Sequence, residues 1–267
     1  MSHIHPSAVV DPAAQIADGC TIGPFCVVGP DAVLGAGCIL HSHVAVAGRT
    51  TLGETCQVYP FASLGHAPQD LKYADEPSRL EIGKGCVIRE HVTLNPGTEG
   101  GGMLTKVGEG CLLMVGAHVA HDCILGNRVI LANNATLAGH VTIGDGAVLG
   151  GLCAVQQFVR IGCNAMIGGM AGIRQDVVPF ALVSGRPGYL VGLNMVGLRR
   201  ASTDRGEIEA LRKLFDFVFD RQAGTLSERL GEAEEPADNG VLVANFLEFL
   251  RGDAAHGFLQ PSERDGH

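Results

Sequence analysis

The stretch GNRVILANNATLAGHVTIGDGAVLG, residues 126–150, carries Leu131, Leu137, Ile143 and Leu149 six positions apart. A period of six fits neither the 3.6-residue turn of an α-helix nor plain strand alternation. It fits short flat strands separated by turns, three to a coil. Working outward, the rule holds in both directions. An aliphatic residue recurs from Ile4 to Leu64 without exception, Ile82, Ile88 and Leu94 keep the phase, and a further series runs from Val107 to Ile173. Coils of 18 residues would stack about 4.8 Å apart. Each buried Val, Leu or Ile contributes about 1.5–3 kcal/mol before chain entropy is subtracted, so the ladder is its own core. The expected fold is mainly β, a parallel β-helix of hexapeptide repeats over residues 1–190.

Four positions after the aliphatic, most hexads carry a small or β-branched residue. Eight of the nine cysteines take that slot: Cys20, Cys26, Cys38, Cys56, Cys86, Cys111, Cys123 and Cys153. They read as packing thiols rather than ligands or nucleophiles. Cys163 is off register.

Two excursions interrupt the pattern, HAPQDLKYADEPSRLE at 66–81 and NPGTEGGGML at 95–104, and the second shifts the phase by one residue. Both should project as loops, where binding residues concentrate. The glycine triplet resembles a phosphate-binding loop only superficially, because no Lys–Ser/Thr pair follows it. The hexads stop after Val178, and residues 191–267 read as a C-terminal helical region. There Ile208, Leu211, Leu214, Phe215 and Val218 recur at helical spacing, and VLVANFLEFLRG, from Val241, is a second amphipathic segment.

A net charge of −9 with a pI near 5.6 argues against general attraction to nucleic acid or anionic lipid. No apolar run reaches about 18 residues, and the opening MSHIHPSAVVDP lacks the basic and apolar segments of a signal peptide. A cytoplasmic protein without a transmembrane segment is expected.

The candidate chemistry lies in GAHVAHDC, residues 116–123, which places three ionisable groups in an aliphatic run. Eighteen-residue stacking sets His121 beside Gly139 and then Gln157, and Asp122 against His140. An imidazole beside a glycine has open space over it and an unshielded N–H nearby, the two requirements for a base and an oxyanion donor acting on one acyl carbonyl. Asp122 could fix the imidazole tautomer. Alternatively, His118, His121 and His140 are surface histidines, or three histidines hold zinc across coils. Stacking pairs His140 with Asp122 rather than His121, and zinc would leave QDLKY at 69–73 unexplained, so no metal is expected.

The hexads and helical tail resemble the hexapeptide-repeat acyltransferases. Within them, QDLKY, GAHVAHDC, GNRVILANNATLAGHVTIGD and GLRR at 197–200 are similar to the UDP-N-acetylglucosamine O-acyltransferases of lipid A biosynthesis. That resemblance implies a left-handed β-helix and a homotrimer with active sites between subunits. It implies His121 as the base that deprotonates the sugar 3-hydroxyl for attack on a 3-hydroxyacyl thioester, with Asp122 as the orienting carboxylate and Gly139 as the oxyanion donor. Asp70, Lys72, His118, His140, Gln157 and Arg200 match substrate-binding positions, and Gly169 and Met170 match the end of the acyl-chain groove. No cofactor is implied beyond the phosphopantetheine of the acyl carrier protein, which local basic residues such as Arg174, Arg199 and Arg200 would meet. Where relatives commonly carry histidine or a basic residue, this chain has Asn95, Pro96 and Gln156, so a 3-amino sugar acceptor and other hexapeptide acyl- or acetyltransfer remain alternatives.

Overall fold

The computed structural model describes residues 1–200, 204–220, 224–232 and 240–262. Its body is a three-faced prism of parallel sheets with 11, 9 and 8 strands, most of them two residues long. Up to Ala154–Val155, each strand pairs in parallel with the one three strands later, as the hexad count requires. Val119 pairs with Leu137 and Leu137 with Val155, each 18 residues on. The repeat aliphatics point inward, and from Ile22 to Ile173 each is at most 3% exposed. Ile4, by contrast, is 44% exposed, because the first coil has no coil beneath it.

The thiols behave as read from the sequence. All eight in-register cysteines are buried and Cys163 is half-buried. Several donate to the carbonyl of a corner residue in the next coil, as Cys123 does to Ala138 at 3.2 Å. Burial pushes the Cys123 thiol up to about 12 and Cys153 and Cys163 up to about 11, so all three stay protonated at neutral pH.

Pairing register locates the excursions. Leu64 pairs with Leu94, thirty positions on instead of eighteen, and Leu94 with Val119, twenty-five on. Twelve and seven extra residues therefore leave the coil; twelve is two whole hexads, whereas seven shifts the phase. Both excursions depart from the same corner in successive coils, between Ser63–Leu64 and Arg79–Ile82 and between Thr93–Leu94 and Leu104–Val107. The next coil turns that corner at residues 120–123. The loops are shorter than expected, since Arg79–Ile82 and Leu104–Val107 already pair across the sheet.

The coil ends in a hairpin, Ala181–Ser184 against Tyr189–Leu193, so the expected boundary at 190 falls inside a strand. Among the described residues four helices follow: α1 (Met195–Arg200), α2 (Arg205–Val218), α3 (Leu226–Glu232) and α4 (Val241–Arg251). The periodicity marked α2 and α4 but missed α1 and α3, each of seven residues or fewer, too short to show an apolar period. Asp204 caps α2 by accepting the Gly206 and Glu207 N–H groups, and Leu211, Phe215 and Val218 are buried on its inner face. Phe215 packs against Phe246 of α4.

Leu137→Ala, in mid-ladder, should cost about 2–5 kcal/mol in denaturant unfolding at fixed protein concentration, whereas Ile4→Ala at the open end should stay within about 0.5–1 kcal/mol.

Candidate active site

Because both excursions leave the corner beneath residues 120–123, their side chains arrive around His121 and Asp122. Both residues are buried, His121 8% and Asp122 5% exposed. His121 Nδ1 lies 2.8 Å from Asp122 Oδ2. A carboxylate only accepts, so the shared proton belongs to Nδ1, and in the neutral imidazole Nε2 is then the nitrogen with the lone pair. That nitrogen faces Asp70 of the first excursion, whose Oδ2 is 4.0 Å away.

The predicted contact with Gly139 is present. A Cβ built on Gly139 would lie 2.6 Å from His121 Nε2, so glycine is the residue this packing admits. Among the described residues the Gly139 N–H donates to no backbone acceptor.

Asp122 also meets His140 as expected, with Nε2 3.9 Å from Oδ2. The reading that His140 avoids His121 is corrected, however: the two rings are edge-to-face with centroids 5.0 Å apart. Counting along the strand direction missed this, because side chains at a corner splay across columns. His121, Asp122 and His140 thus bring three potential ligand atoms within 4.8 Å of one another. On its other face His140 stacks on Phe158 at 4.5 Å.

A cleft of about 440 Å³ opens beside this cluster, lined by Asp70, Lys72, Glu76, Thr98, His140 and Gln157 among others. Glu76 joins the loops, accepting the Ala74 N–H within its own excursion and the Glu99 N–H of the second. These hydrogen bonds hold its carboxyl below the usual carboxylate range. Asn95 is not turned to a ligand through its amide nitrogen, which donates to the His66 and Ala67 carbonyls and ties one loop to the other. His118 shares a hydrogen bond with the Thr93 hydroxyl at 2.7 Å.

The remaining expected residues lie apart. Gly169 and Met170 occupy a different corner of the prism, where Met170 donates to the Gly151 carbonyl. Arg174 is exposed at the site's own corner, higher in the stack. Arg199 borders a separate cleft between α1 and α2, and the Arg200 side chain lies outside the described residues. Sequence reasoning missed Glu76, Thr98 and Phe158. Only Phe158 had a signal, being eighteen residues beyond His140.

Comparisons with known proteins bear on this arrangement. Residues 13–48 and 104–139 match the bacterial transferase hexapeptide family model, and residues 176–259 match the second domain of UDP N-acetylglucosamine O-acyltransferase. Over 204 residues, 76% of this chain and 77% of the relative, the sequence is 53% identical to the acyl-[acyl-carrier-protein]–UDP-N-acetylglucosamine O-acyltransferase of Paracoccus denitrificans. The chain belongs to the UDP-N-acetylglucosamine O-acyltransferase family. Solved structures of such enzymes superpose on nearly all of this chain. The one from Acinetobacter baumannii has a TM-score of 0.90 at 39% identity, covering 96% of this chain and 99% of that one. The Francisella novicida enzyme gives 0.93 at 32%, covering 97% and 95%. The coil is accordingly the left-handed β-helix of this acyltransferase family. No helix among the described residues is long and apolar enough to cross a membrane.

Burial lowers the pKa of His118 from 6.5, helped by repulsion from His121 when both imidazoles are protonated. It also lowers His140, again with His121, against the opposing pull of Asp122 and Asp70. Both groups bind protons more readily in the unfolded chain, so stability is full above about pH 6.5 and falls as pH drops below that value. Asn at positions 118 and 140 should flatten this part of the profile, as thermal denaturation between about pH 8 and 5 would read; an undiminished slope would assign it to other groups.

Proposed function

We propose that this acyltransferase moves a 3-hydroxyacyl chain from acyl carrier protein to position 3 of UDP-N-acetylglucosamine, with His121 as general base. The observation that carries the reading is an imidazole held through Nδ1 by a buried carboxylate, with Nε2 packed on a bare glycine whose N–H has no backbone acceptor among the described residues. In the reaction His121 Nε2 takes the proton of the sugar hydroxyl as its oxygen bonds to the thioester carbonyl carbon. The Gly139 N–H stabilises the resulting oxyanion. Collapse of this intermediate breaks the C–S bond, and the departing thiolate recovers the proton from the imidazolium. Asp122 stabilises that imidazolium while holding its orientation.

Asp70, Lys72, His118, His140 and Gln157 serve the acceptor sugar nucleotide, and Arg200, with Arg199 and Arg174, serves the acidic carrier protein. The acyl groove spans two chains, because Gly169 and Met170 sit on another corner than His121. The corner column containing Met170 supports a homotrimer. Phe25, Phe61, Leu152 and Met170 stand in it at positive φ, each more than half exposed. Large apolar side chains rarely accept that backbone region, and four exposed in one column, interspersed with His43, His91, Gly116 and Asn134, favour a surface that another copy covers. The trimer works in the cytoplasm, and sedimentation equilibrium reads the assembly directly.

The grouping of His121, Asp122 and His140 favours one second reading, a metal site. Both Asp122 oxygens already accept hydrogen bonds, which supports the acyl-transfer reading instead. Stoichiometric zinc in elemental analysis of the purified protein would reverse that choice.

His121→Ala should lower kcat by about 10²–10⁴ with the trimer intact, and near-normal turnover would remove His121 from the mechanism. Lys72→Ala should act mainly on KM for the acceptor. Steady-state assays with graded acyl carrier proteins, and with the sugar nucleotide and its 3-amino analogue, would define donor length and acceptor atom by product mass.

A further inference from the structure

The glycine-rich excursion carries no ligand motif, yet it folds directly over Asp122. We infer that this loop is a positioning device for the catalytic carboxylate, with Thr98 as the clamp that aims Asp122 at His121 and Gly101 as the residue whose missing side chain makes room for it. The inference rests on His121 acting as the base.

Three observations carry it. Thr98 donates twice to one carboxylate, its N–H to Oδ1 at 2.9 Å and its hydroxyl to Oδ2 at 2.6 Å. Together with the His121 Nδ1–H, these contacts fix both oxygens, so the Asp122 side chain, 0% exposed, has one orientation only. Secondly, a Cβ on Gly101 would fall onto the Asp122 carboxyl group, whereas Gly100 and Gly102 have open space at that position. Gly101, unlike Gly102, has no left-handed φ, so alanine there would meet the carboxylate without backbone strain. Thirdly, the excursion removes the coil that would normally lie beneath this corner. In the coils above, His140 N–H donates to the His121 carbonyl and Phe158 N–H to the Gly139 carbonyl. Asp122 at the equivalent position has φ +59, and its N–H donates instead to the buried Thr105 hydroxyl at 2.8 Å. Thr98 of the loop and Thr105 of the strand that follows it thus replace a generic coil contact with hydroxyl groups set against Asp122.

The loop has a second face. Thr98 lines the cleft beside Lys72 and His140, and Glu99 meets Glu76 there. A binding role for Thr98 would therefore be expressed in KM, and a positioning role in kcat, because an imidazole misaimed by about 1 Å costs up to about 10²-fold in turnover.

The test uses the full-length enzyme in its native assembly. Thr98→Val removes the hydroxyl donor and keeps the N–H, Thr98→Ser restores the donor, and Gly101→Ala crowds the carboxylate itself. Thr98→Val and Gly101→Ala should each lower kcat by about 10–10²-fold with little change in KM for either substrate. Thr98→Ser should recover most of the loss, and the downfield proton NMR resonance of the His121 Nδ1–H should shift or vanish in the two impaired variants only. Unchanged kcat in Thr98→Val, a change confined to KM, or failure of serine to rescue would overturn the inference. His121→Ala in the same assay separates the two readings. If it is inactive while Thr98→Val is normal, the clamp fails and the base stands; if it is active, the base itself falls.

Discussion

Lateral hydrogen bonding between strands eighteen residues apart is the constraint on which the rest depends. Every coil stacks on the next through parallel pairs such as His118 with Thr136 and Thr136 with Ala154. The spacing turns sequence distance into spatial proximity. It lines the aliphatic ladder up inside the prism, threads the thiols into the same interior, and brings residues remote in sequence to one corner. Little else is needed to make an imidazole and a bare backbone amide neighbours. Such a scaffold holds its corners rigidly, since each corner residue is tied both to its own strand and to the coil on either side.

Function is obtained by interrupting that regularity. Where the coil is unbroken, the left-handed corner residues, such as His140 and Phe158, spend their N–H groups on the coil below. Where twelve and then seven residues are looped out, the corner above loses its floor. The gap is filled by Asp70, Glu76 and Thr98, which give the dyad of His121 and Asp122 a polar enclosure within a molecule otherwise cored with hydrocarbon. Glu76 and Asn95 tie the loops to each other.

The apolar column through Phe25, Phe61, Leu152 and Met170 shows the same economy at another corner. Left-handed backbone is repeated there coil after coil, and four of the side chains it presents are large, apolar and exposed, with His43, His91, Gly116 and Asn134 between them. Gly169 and Met170 share this corner, away from the one that carries His121.

Much of this was legible in the residue order because a strict period leaves few degrees of freedom. The β-helix, the buried thiols, the neighbourhood of His121 with Gly139 and the pairing of Asp122 with His140 all follow from counting sixes and eighteens. The period is silent wherever the chain leaves the coil. Nothing in NPGTEGGGML announced that Thr98 would grip Asp122 or that Gly101 would have to be bare, since loop residues take their places by hydrogen bonding to groups far away in sequence. The edge-to-face approach of His140 to His121 was likewise decided only in three dimensions, by side-chain direction at a corner. The sequence alone determined the lattice, because backbone pairing repeats with the chain; tertiary structure decided the aim of each polar group, because that depends on partners supplied from outside the repeat.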